Sequence, residues 1–319
     1  TLTNNSLKGM QRELYSILIN DLEKANKKLD KFILFKNKEI QNKLDSKKLV
    51  SELFKHRVYE WGGDYQNSLD KYLVSHYVKT INSYNVLLSK FEKEINSVVR
   101  GYVLNSWYNH WSSVLIEHIF KSHKIVLPSV GQIKNVDFFI NNIPFDLKVT
   151  YFPSEYLRIK RKQKGFPDET VYLRKQAKKL AIDYDKNGSK SDINYEISEK
   201  LKDKGNSISR AVLKEIKSQN MSIIQEAQNN PQEIARWLYE NQGEMRFGSE
   251  NRLFLILIDK ADLTCSWKLK RNINLLKPSI KKYLDRFASK NIKDLEITFN
   301  YKDKSNVYRA LTDVIFIIK

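Results

Sequence analysis

The stretch Val136–Thr150, "VDFFINNIPFDLKVT", predicts a β-hairpin whose turn is formed by Asn141 and Asn142. Asparagine tolerates the positive φ angle that both central residues of a two-residue type I′ turn require. A turn at this position sets the register of the two strands. The facing pairs are then, from the turn outward, Ile140–Ile143, Phe139–Pro144, Phe138–Phe145 and Asp137–Asp146.

This hairpin has two chemically different faces, because successive residues of a strand point to opposite sides of the sheet. One face is apolar throughout and is expected to pack against a core; it carries Val136, Phe138, Ile140, Ile143, Phe145, Leu147 and Val149. The other face carries Asp137, Phe139, Pro144, Asp146, Lys148 and Thr150. Facing pairs alternate between hydrogen-bonded and open, which makes Asp137–Asp146 an open pair with Cα atoms about 4.5 Å apart.

Two opposed carboxylates on one face repel each other, so a proton, a neighbouring cationic side chain or a bound ion must compensate their negative charge. One of the two carboxyl groups could stay protonated through a raised pKa. Lys148, on the same face, could neutralise part of the negative charge. A divalent cation could also lie between the carboxylates, and oxygen ligands without His or Cys suit a hard ion such as Mg²⁺ or Mn²⁺.

An Asp-bearing strand followed by a strand that reads D-x-K, here Asp146-Leu147-Lys148, resembles the PD-(D/E)xK nuclease superfamily, which has the restriction-endonuclease-like fold. Asp137 stands where this family places its first acid, and Val136 replaces the family's proline. The resemblance implies an α/β core with a mixed central sheet flanked by helices. Its order is a helix, three antiparallel strands, a helix and a strand. Apart from the second helix, the matching segments are 103–123, 124–130, 136–141, 143–151 and 253–259.

The resemblance also implies a site and its chemistry. The carboxylates of Asp137, Asp146 and Glu117 and the backbone carbonyl of Leu147 would bind the metal, and Lys148 would act on the attacking water or on the phosphate. The metal would be Mg²⁺, with Mn²⁺ as an alternative and without a nucleotide cofactor. The leading hypothesis is a DNA endonuclease, a sequence-specific type II restriction enzyme that acts on double-stranded DNA as a homodimer. A structure-specific or repair nuclease and a non-catalytic nucleic-acid-binding protein are the alternatives.

The charge of the chain agrees with a polyanionic partner. It has 56 Lys and Arg residues against 37 Asp and Glu residues, which gives a formal net charge of +19. A field of this sign attracts nucleic acid first and an anionic membrane surface second. Segment 156–180 holds nine of the basic residues and two acids, and it is interpreted as a phosphate-contacting region. The residues predicted to contact DNA are Lys160, Arg161, Lys162, Lys164, Arg174 and Lys175.

The pattern of apolar residues divides the chain into two parts. Residues 1–100 predict a helical N-terminal region, because apolar residues recur there at three- and four-residue spacing, as in Leu7, Met10, Leu14, Ile17, Leu18 and Leu22. Residues 101–319 predict the α/β catalytic domain, with buried strands at 253–259 and 314–318 and a candidate partner strand at 295–301. A polar insertion is predicted near 184–207, as a surface loop or a mobile segment.

Neither a membrane segment nor a disulfide is expected. The longest apolar runs, such as residues 253–258, are too short to cross a bilayer, and the first residues lack the layout of a secretory signal. The single cysteine, Cys265, cannot form an internal disulfide, which fits a reducing compartment. A cytoplasmic protein without membrane association is therefore the expectation.

Overall fold

The structure is a computed structural model that describes residues 7–57, 69–129, 135–241, 250–301 and 305–319. The chain forms two compact units. The first unit contains Thr1–Asp146 and Lys270–Ser289, and the second contains Leu147–Leu269 and Lys290–Lys319.

The strands form a six-stranded mixed sheet, which confirms the α/β class and the central sheet flanked by helices. The strands are β1 (Val126–Pro128), β2 (Phe138–Ile140), β3 (Ile143–Tyr151), β4 (Arg252–Ile258), β5 (Glu296–Asn300) and β6 (Val307–Ile318). Their order in the sheet is β1-β2-β3-β4-β6-β5. The pairs β1–β2, β2–β3 and β5–β6 are antiparallel, whereas β4 and β6 are parallel. The chain passes from the first unit to the second within β3, between Asp146 and Leu147.

The first unit is mainly helical, as the sequence predicts for the N-terminal region. Its helices are α1 (Leu7–Asn20), α2 (Leu22–Lys43), α3 (Ser46–Leu53), α4 (Leu69–Leu73), α5 (Tyr84–Lys90), α6 (Asn96–Lys121) and α12 (Ile273–Phe287). Single π-helical segments, Val74–Val78 and Phe91–Ile95, follow α4 and α5. The expected domain boundary near residue 100 lies inside α6, because this helix continues without a break toward the first strand. Within the described ranges, no helix is both long enough and apolar enough to span a membrane.

The second unit packs helices around the most apolar strand of the chain. These helices are α7 (Ser154–Gln163), α8 (Glu169–Lys179), α9 (Lys190–Lys204), α10 (Ser207–Asn229) and α11 (Pro231–Asn241), with 3₁₀ segments at Leu263–Arg271 and Ile292–Leu295. Every residue of β4 is buried, as expected for a strand covered on both faces. Phe254 and Ile256 of β4 belong to a core that includes Ile224 of α10 and Leu238 of α11. The predicted strands at 253–259, 295–301 and 314–318 are thus confirmed as β4, β5 and the end of β6.

The surface loop or mobile segment predicted near 184–207 is wrong, because most of this segment is the helix α9. Its buried residues recur at four-residue intervals along one side, at Ile193, Ile197 and Leu201. This narrow stripe packs against Leu173 of α8 and Val212 of α10. A capping box between Ser189 and Asp192 starts the helix by satisfying backbone N–H groups that would otherwise lack acceptors. The high polarity of the segment describes the exposed sides of a helix and does not indicate a loop.

Candidate functional site

The hairpin forms with the predicted turn. Asn141 and Asn142 have φ angles of 47° and 65°, as a type I′ turn requires. The observed pairs are Ile140–Ile143, Phe139–Pro144 and Phe138–Phe145. The predicted register is therefore confirmed for these three pairs.

The apolar face of the hairpin packs against helices of the first unit. Phe138 and Phe145 are fully buried. The ring of Phe138 stacks on Phe120 of α6 with 5.0 Å between centroids, and Phe145 meets Phe287 of α12 edge-on at 6.0 Å. Burial of each ring contributes roughly 1.5–3 kcal/mol, which is enough to determine which face of the ribbon is turned inward. Asp146 follows Phe145 on β3, so its side chain lies on the face turned away from α6 and α12.

Asp137 lies just before β2 and departs from the predicted open pair. Its backbone N–H donates to the carbonyl of Phe145 at 2.9 Å, and its own carbonyl accepts from the N–H of Ser129 at 3.3 Å. In an open pair the backbone groups would point away from the opposite strand. The backbone bends at Asp137, so the open pair with Asp146 is wrong. The bend nevertheless keeps Asp137 in contact with the peptide group that joins Phe145 to Asp146.

Asp146 and Lys148 are two residues apart on β3, so they share one face of this strand. Asp146 is buried, with 7% of its surface exposed, and Lys148 is half-buried. Burial of a carboxylate is costly unless a nearby charge or hydrogen bond compensates it. An acid in this position is thus unlike an ordinary aspartate on a solvated strand face.

Glu117 does not join the two aspartates. It lies on α6, where its carboxylate forms an ion pair with Lys121 at 2.8 Å. Three residues further along, Phe120 stacks on the apolar face of the hairpin, which is the face opposite to Asp146. Within the described residues, no three His, Cys, Asp or Glu side chains form a group that could bind a metal ion. The predicted set of three carboxylates is therefore not assembled, because α6 packs on the other side of the ribbon.

The oxygen donors at the hairpin still suit Mg²⁺. Mg²⁺ is commonly bound by one or two protein carboxylates, and water and substrate phosphates complete its coordination. Asp146 has a buried carboxylate, the backbone of Asp137 contacts the peptide group before Asp146, and the carbonyl of Leu147 is adjacent to Asp146 in the chain. The donor set is made of oxygen atoms alone, which favours a hard cation over zinc.

The basic residues of α7 are largely occupied by partners within the second unit. Arg161 is 2% exposed, and its guanidinium donates to Asn220 Oδ1 at 2.6 Å, to Gln219 Oε1 at 2.7 Å and to the carbonyl of Pro167. Burial lowers the pKa of Arg161, but a guanidinium keeps its charge in a protein. The structure gives Arg161 a structural role, which replaces the predicted contact with DNA. Its acceptors come from α10 and from the loop before α8.

Two lysines at the end of this helical region are bound to carboxylates. Lys160 forms an ion pair with Glu233, and Lys164 forms one with Glu226 at 2.5 Å. Burial has the largest single effect and lowers the pKa of Lys160, but the hydrogen bond to Glu233 and the nearby charges of Glu233 and Glu226 together outweigh it, so the net shift is upward. The positive charges of both lysines are thus already paired with carboxylates of the same chain. A phosphate would have to compete with these carboxylates for them.

Arg158 and Lys164 are exposed but ion-paired, whereas Lys162 and the cations of α8 are exposed and have no ion pair within the described residues. Thr170, Leu173 and Ala177 form the buried side of α8. The residues of α8 on its opposite side are exposed and lack a carboxylate partner within the described ranges: Arg174, Lys175, Lys178 and Lys179. Lys178 and Lys179 were not among the residues predicted to contact DNA. They do belong to the segment 156–180 interpreted as phosphate-contacting, and they share one helix face with Arg174 and Lys175, from which they are four residues apart.

Comparisons with known proteins give the chain no relative. No family model matches it, and neither a curated protein nor a solved structure matches it. The resemblance to the PD-(D/E)xK superfamily therefore stays a prediction from the sequence of the hairpin.

Proposed function

We propose that the protein is a Mg²⁺-dependent DNA endonuclease that hydrolyses phosphodiester bonds, and that it acts as a sequence-specific type II restriction enzyme. One observation carries the proposal. In the hairpin, Asp146 lies on the face of β3 opposite to the packed aromatic rings, Lys148 lies on the same face, and the backbone N–H of Asp137 donates to the carbonyl of Phe145, the residue before Asp146.

The order of the elements supports the same proposal. The helix α6 is followed by the antiparallel strands β1, β2 and β3. Five helices then precede β4, which lies next to β3 in the sheet. The PD-(D/E)xK core is expected to have one helix, three antiparallel strands, a helix and a strand in succession, and this chain follows that order except that five helices stand where the core has one. The additional strands β5 and β6 extend the sheet beyond β4.

The residues of the site would divide the chemistry between them. When bound, Mg²⁺ offsets the charge of the phosphate and lowers the pKa of water. Asp137 and Asp146 would hold the ion with the Leu147 carbonyl. The ammonium group of Lys148 would stabilise the negative charge that develops on the phosphate, or orient the attacking water. The exposed cations of α8 would hold the DNA backbone without reading its sequence.

A cleavage assay on plasmid DNA tests the proposal. The purified protein should cut the plasmid in Mg²⁺ and should not cut it in EDTA. Asp146→Asn keeps the shape of the side chain but removes its charge, and it should lower the cleavage rate by at least about 100-fold, because metal-bound carboxylates are central to such sites. Asp203→Asn makes the same chemical change at an exposed position of α9 and should leave the rate unchanged. Equal rates for wild type and Asp146→Asn would refute the assignment of the site.

The ends of the cleaved DNA separate the two kinds of nuclease. A type II restriction enzyme should give the same short sequence at every end. A structure-specific or repair nuclease of the same fold should instead prefer branched or damaged substrates and give varied ends on plasmid DNA. Sequencing the ends of digested plasmid, together with a comparison of linear and branched substrates, decides between them.

A non-catalytic nucleic-acid-binding protein is the second candidate. It is favoured by one specific observation: the described residues contain no group of three metal-binding side chains. Under this alternative, the cations of α8 bind DNA and the acidic pair serves only the fold. Binding without cleavage in Mg²⁺, with the same affinity in Asp146→Asn, would support the alternative over the nuclease.

A further inference from the structure

The first unit contains a cavity of about 490 Å³ that is lined by residues of α3, α6 and α12. Gln41, near the end of α2, completes the lining. Pockets of roughly 300–1,000 Å³ are typical of sites that bind small molecules. Among the described residues, the lining includes neither Asp137 nor Asp146. The cavity is therefore large enough for a small organic ligand and is distinct from the proposed nuclease site.

Part of the wall of this cavity is aliphatic. It is formed by Val50 of α3, Leu115 and Ile119 of α6 and Ile273 of α12. Covering such a wall with an apolar group removes hydrocarbon surface from water and is favourable. Within the described part of the chain, no Phe, Tyr or Trp belongs to the lining, so the wall offers an aromatic ligand little opportunity for stacking. An aliphatic ligand therefore suits this cavity better than an aromatic one.

The charged side chains of the lining are two lysines, Lys47 of α3 and Lys277 of α12. Both are exposed, and neither forms an ion pair with another described residue. His118 also lines the cavity, but burial lowers its pKa below the ordinary value of 6.5, so its imidazole is neutral at pH 7. No Asp or Glu of the described ranges belongs to the lining. The cavity therefore favours a negatively charged group.

Backbone donors strengthen this preference, because two helices begin at the cavity. α3 begins with Ser46 and Lys47, and α12 begins with Ile273 and Asn274, and all four residues line the cavity. The first N–H groups of a helix have no acceptor within it, and here the N-cap side chains accept only the N–H of the third helical residue. Such helix ends favour anions. The charge of the N-cap Asp45 offsets part of this effect at α3, whereas the N-cap of α12 is a neutral asparagine.

A buried amide gives an independent indication of a ligand. The Nε2 atom of Gln41 is shielded from solvent and has no hydrogen-bond acceptor among the described residues, and the side chain belongs to the lining of the cavity. A buried donor without an acceptor is costly to the folded state. An anionic oxygen bound in the cavity would supply the acceptor that this N–H group lacks.

We propose that this cavity binds a small amphipathic anion, namely a carboxylate on an aliphatic chain. The carboxylate is held between Lys47 and Lys277 and accepts a hydrogen bond from the amide of Gln41. The aliphatic chain covers the wall at Val50 and Ile119. A phosphate of DNA fits this arrangement less well, because a nucleic-acid backbone has no aliphatic body to cover that wall. The proposal does not depend on the nuclease activity.

Isothermal titration calorimetry of the full chain with decanoate, kept below the concentration at which it forms micelles, tests the proposal. Decanoate should bind at a single site and should raise the melting temperature, as a ligand of the folded state does. Acetate has the same head group without the chain and should bind at least about 100-fold more weakly. Decyltrimethylammonium has the same chain with the opposite charge and should bind at least about tenfold more weakly. Equal affinities for decanoate and this cation would indicate association as a detergent and would overturn the proposal.

Charge variants locate the site. Lys47→Gln combined with Lys277→Gln should weaken the binding of decanoate at least about tenfold. The matched control Lys28→Gln combined with Lys31→Gln removes the same charge from exposed positions of α2 outside the lining, and it should bind decanoate like the wild type. Equal losses in the two variants would show that only net charge matters, which contradicts a built site. Circular dichroism verifies that each variant is folded.

Gln41→Leu separates ligand binding from a structural role. The substitution keeps most of the side-chain volume and removes the buried N–H group, so it should weaken decanoate binding about fivefold. The free variant should unfold at the same or a higher urea concentration than the wild type, because a donor without an acceptor has been removed. A lower unfolding midpoint with unchanged affinity for decanoate would show that the amide serves only the fold, against the proposal. If this variant does not fold, Val50→Phe narrows the cavity and should still weaken the binding about tenfold.

Two results on the wild-type protein and the lysine variant would also overturn the proposal. One is that the folded wild type shows no binding of decanoate. The other is that Lys47→Gln combined with Lys277→Gln weakens binding of duplex DNA and leaves binding of decanoate unchanged. The second result would assign these lysines to phosphates of the DNA backbone instead.

Discussion

The consecutive helices α7 and α8 are both basic in sequence, but the structure uses their charges differently. On α7, Arg161 is buried and Lys160 forms an ion pair with a glutamate. On α8, Arg174 and Lys175 are exposed and lack a carboxylate partner within the described ranges. The comparison shows that the number of cations in a segment does not indicate how many of them can bind a polyanion.

The difference arises from the neighbours of each helix. α7 packs beside α10 and α11, which present Glu226 and Glu233 to its lysines and Asn220 to its arginine. α8 instead packs through Leu173 and Ala177 against apolar residues of α9 and α10. Polar neighbours compensate the cations of α7, whereas apolar packing leaves the cations of α8 on the outer side. The cations of α8 are therefore the ones that remain available to the proposed nucleic-acid partner.

The largest effect expected from this comparison is the loss of stability in Arg161→Met. The substitution keeps most of the side-chain volume but leaves Asn220 Oδ1, Gln219 Oε1 and the carbonyl of Pro167 without their donor. Hydrogen bonds to a charged group contribute about 1.5–3 kcal/mol each, and we expect a loss of about 3 kcal/mol in the free energy of unfolding. Urea unfolding measures this free energy of unfolding. Lys162→Met, at the next position, should change it by less than about 0.5 kcal/mol. Equal effects at both positions would show that Arg161 is not structural.

The second effect concerns DNA binding and depends on the proposed nucleic-acid partner. Arg174→Ala combined with Lys175→Ala should lower the slope of log affinity against log salt concentration by about two, because each phosphate contact contributes about 0.9. Fluorescence anisotropy on a duplex at several salt concentrations measures this slope. Arg158→Ala combined with Lys164→Ala removes the same charge from cations that are paired with Glu155 and Glu226. This control should change the slope less, and an equal or larger change would contradict the distinction between α7 and α8.

The smallest effect is the pH dependence of the ion pair between Lys164 and Glu226. The hydrogen bond from Lys164 lowers the pKa of Glu226 below its ordinary value of 4.5. A lowered pKa in the folded state stabilises the protein above pH 4.5, and this contribution is lost as the pH falls and the carboxylate is protonated. Since both groups are partly exposed, Lys164→Met should cost at most about 1 kcal/mol at neutral pH. Urea unfolding at neutral and at acidic pH should show this difference disappear in acid. A difference independent of pH would indicate packing by the lysine chain instead.

The hairpin shows how far local sequence can predict a site. Its turn and register follow from Asn141-Asn142 and from the alternation of apolar residues, both of which act within a few residues. The bend at Asp137 was not predictable in this way, since it involves a hydrogen bond to Ser129 outside the hairpin. The position of Glu117 was not predictable either. It depends on which face of the ribbon α6 covers, and the stacking of Phe120 on Phe138 determines that face.

The average polarity of a segment did not predict its structure where the helix has only one narrow buried side. The segment of α9 is polar on average, yet Ile193, Ile197 and Leu201 hold it in a core. On α1 and α2 the opposite holds, because a clear apolar pattern is left exposed. In both cases the pattern predicts the helix correctly, but whether its apolar side is covered depends on other elements.

The sequence by itself determined the local structure: the type I′ turn, the strand register, the fully apolar strand β4 and the helical N-terminal region. These features arise from backbone preferences and from side-chain periodicity, which act over a few residues. Only the tertiary structure decided which cations are exposed and unpaired, and that Glu117 forms no metal-binding group with Asp137 and Asp146 within the described residues. Burial and ion pairing join residues far apart in the chain, such as Arg161 and Asn220, so they cannot be inferred from a short stretch of sequence.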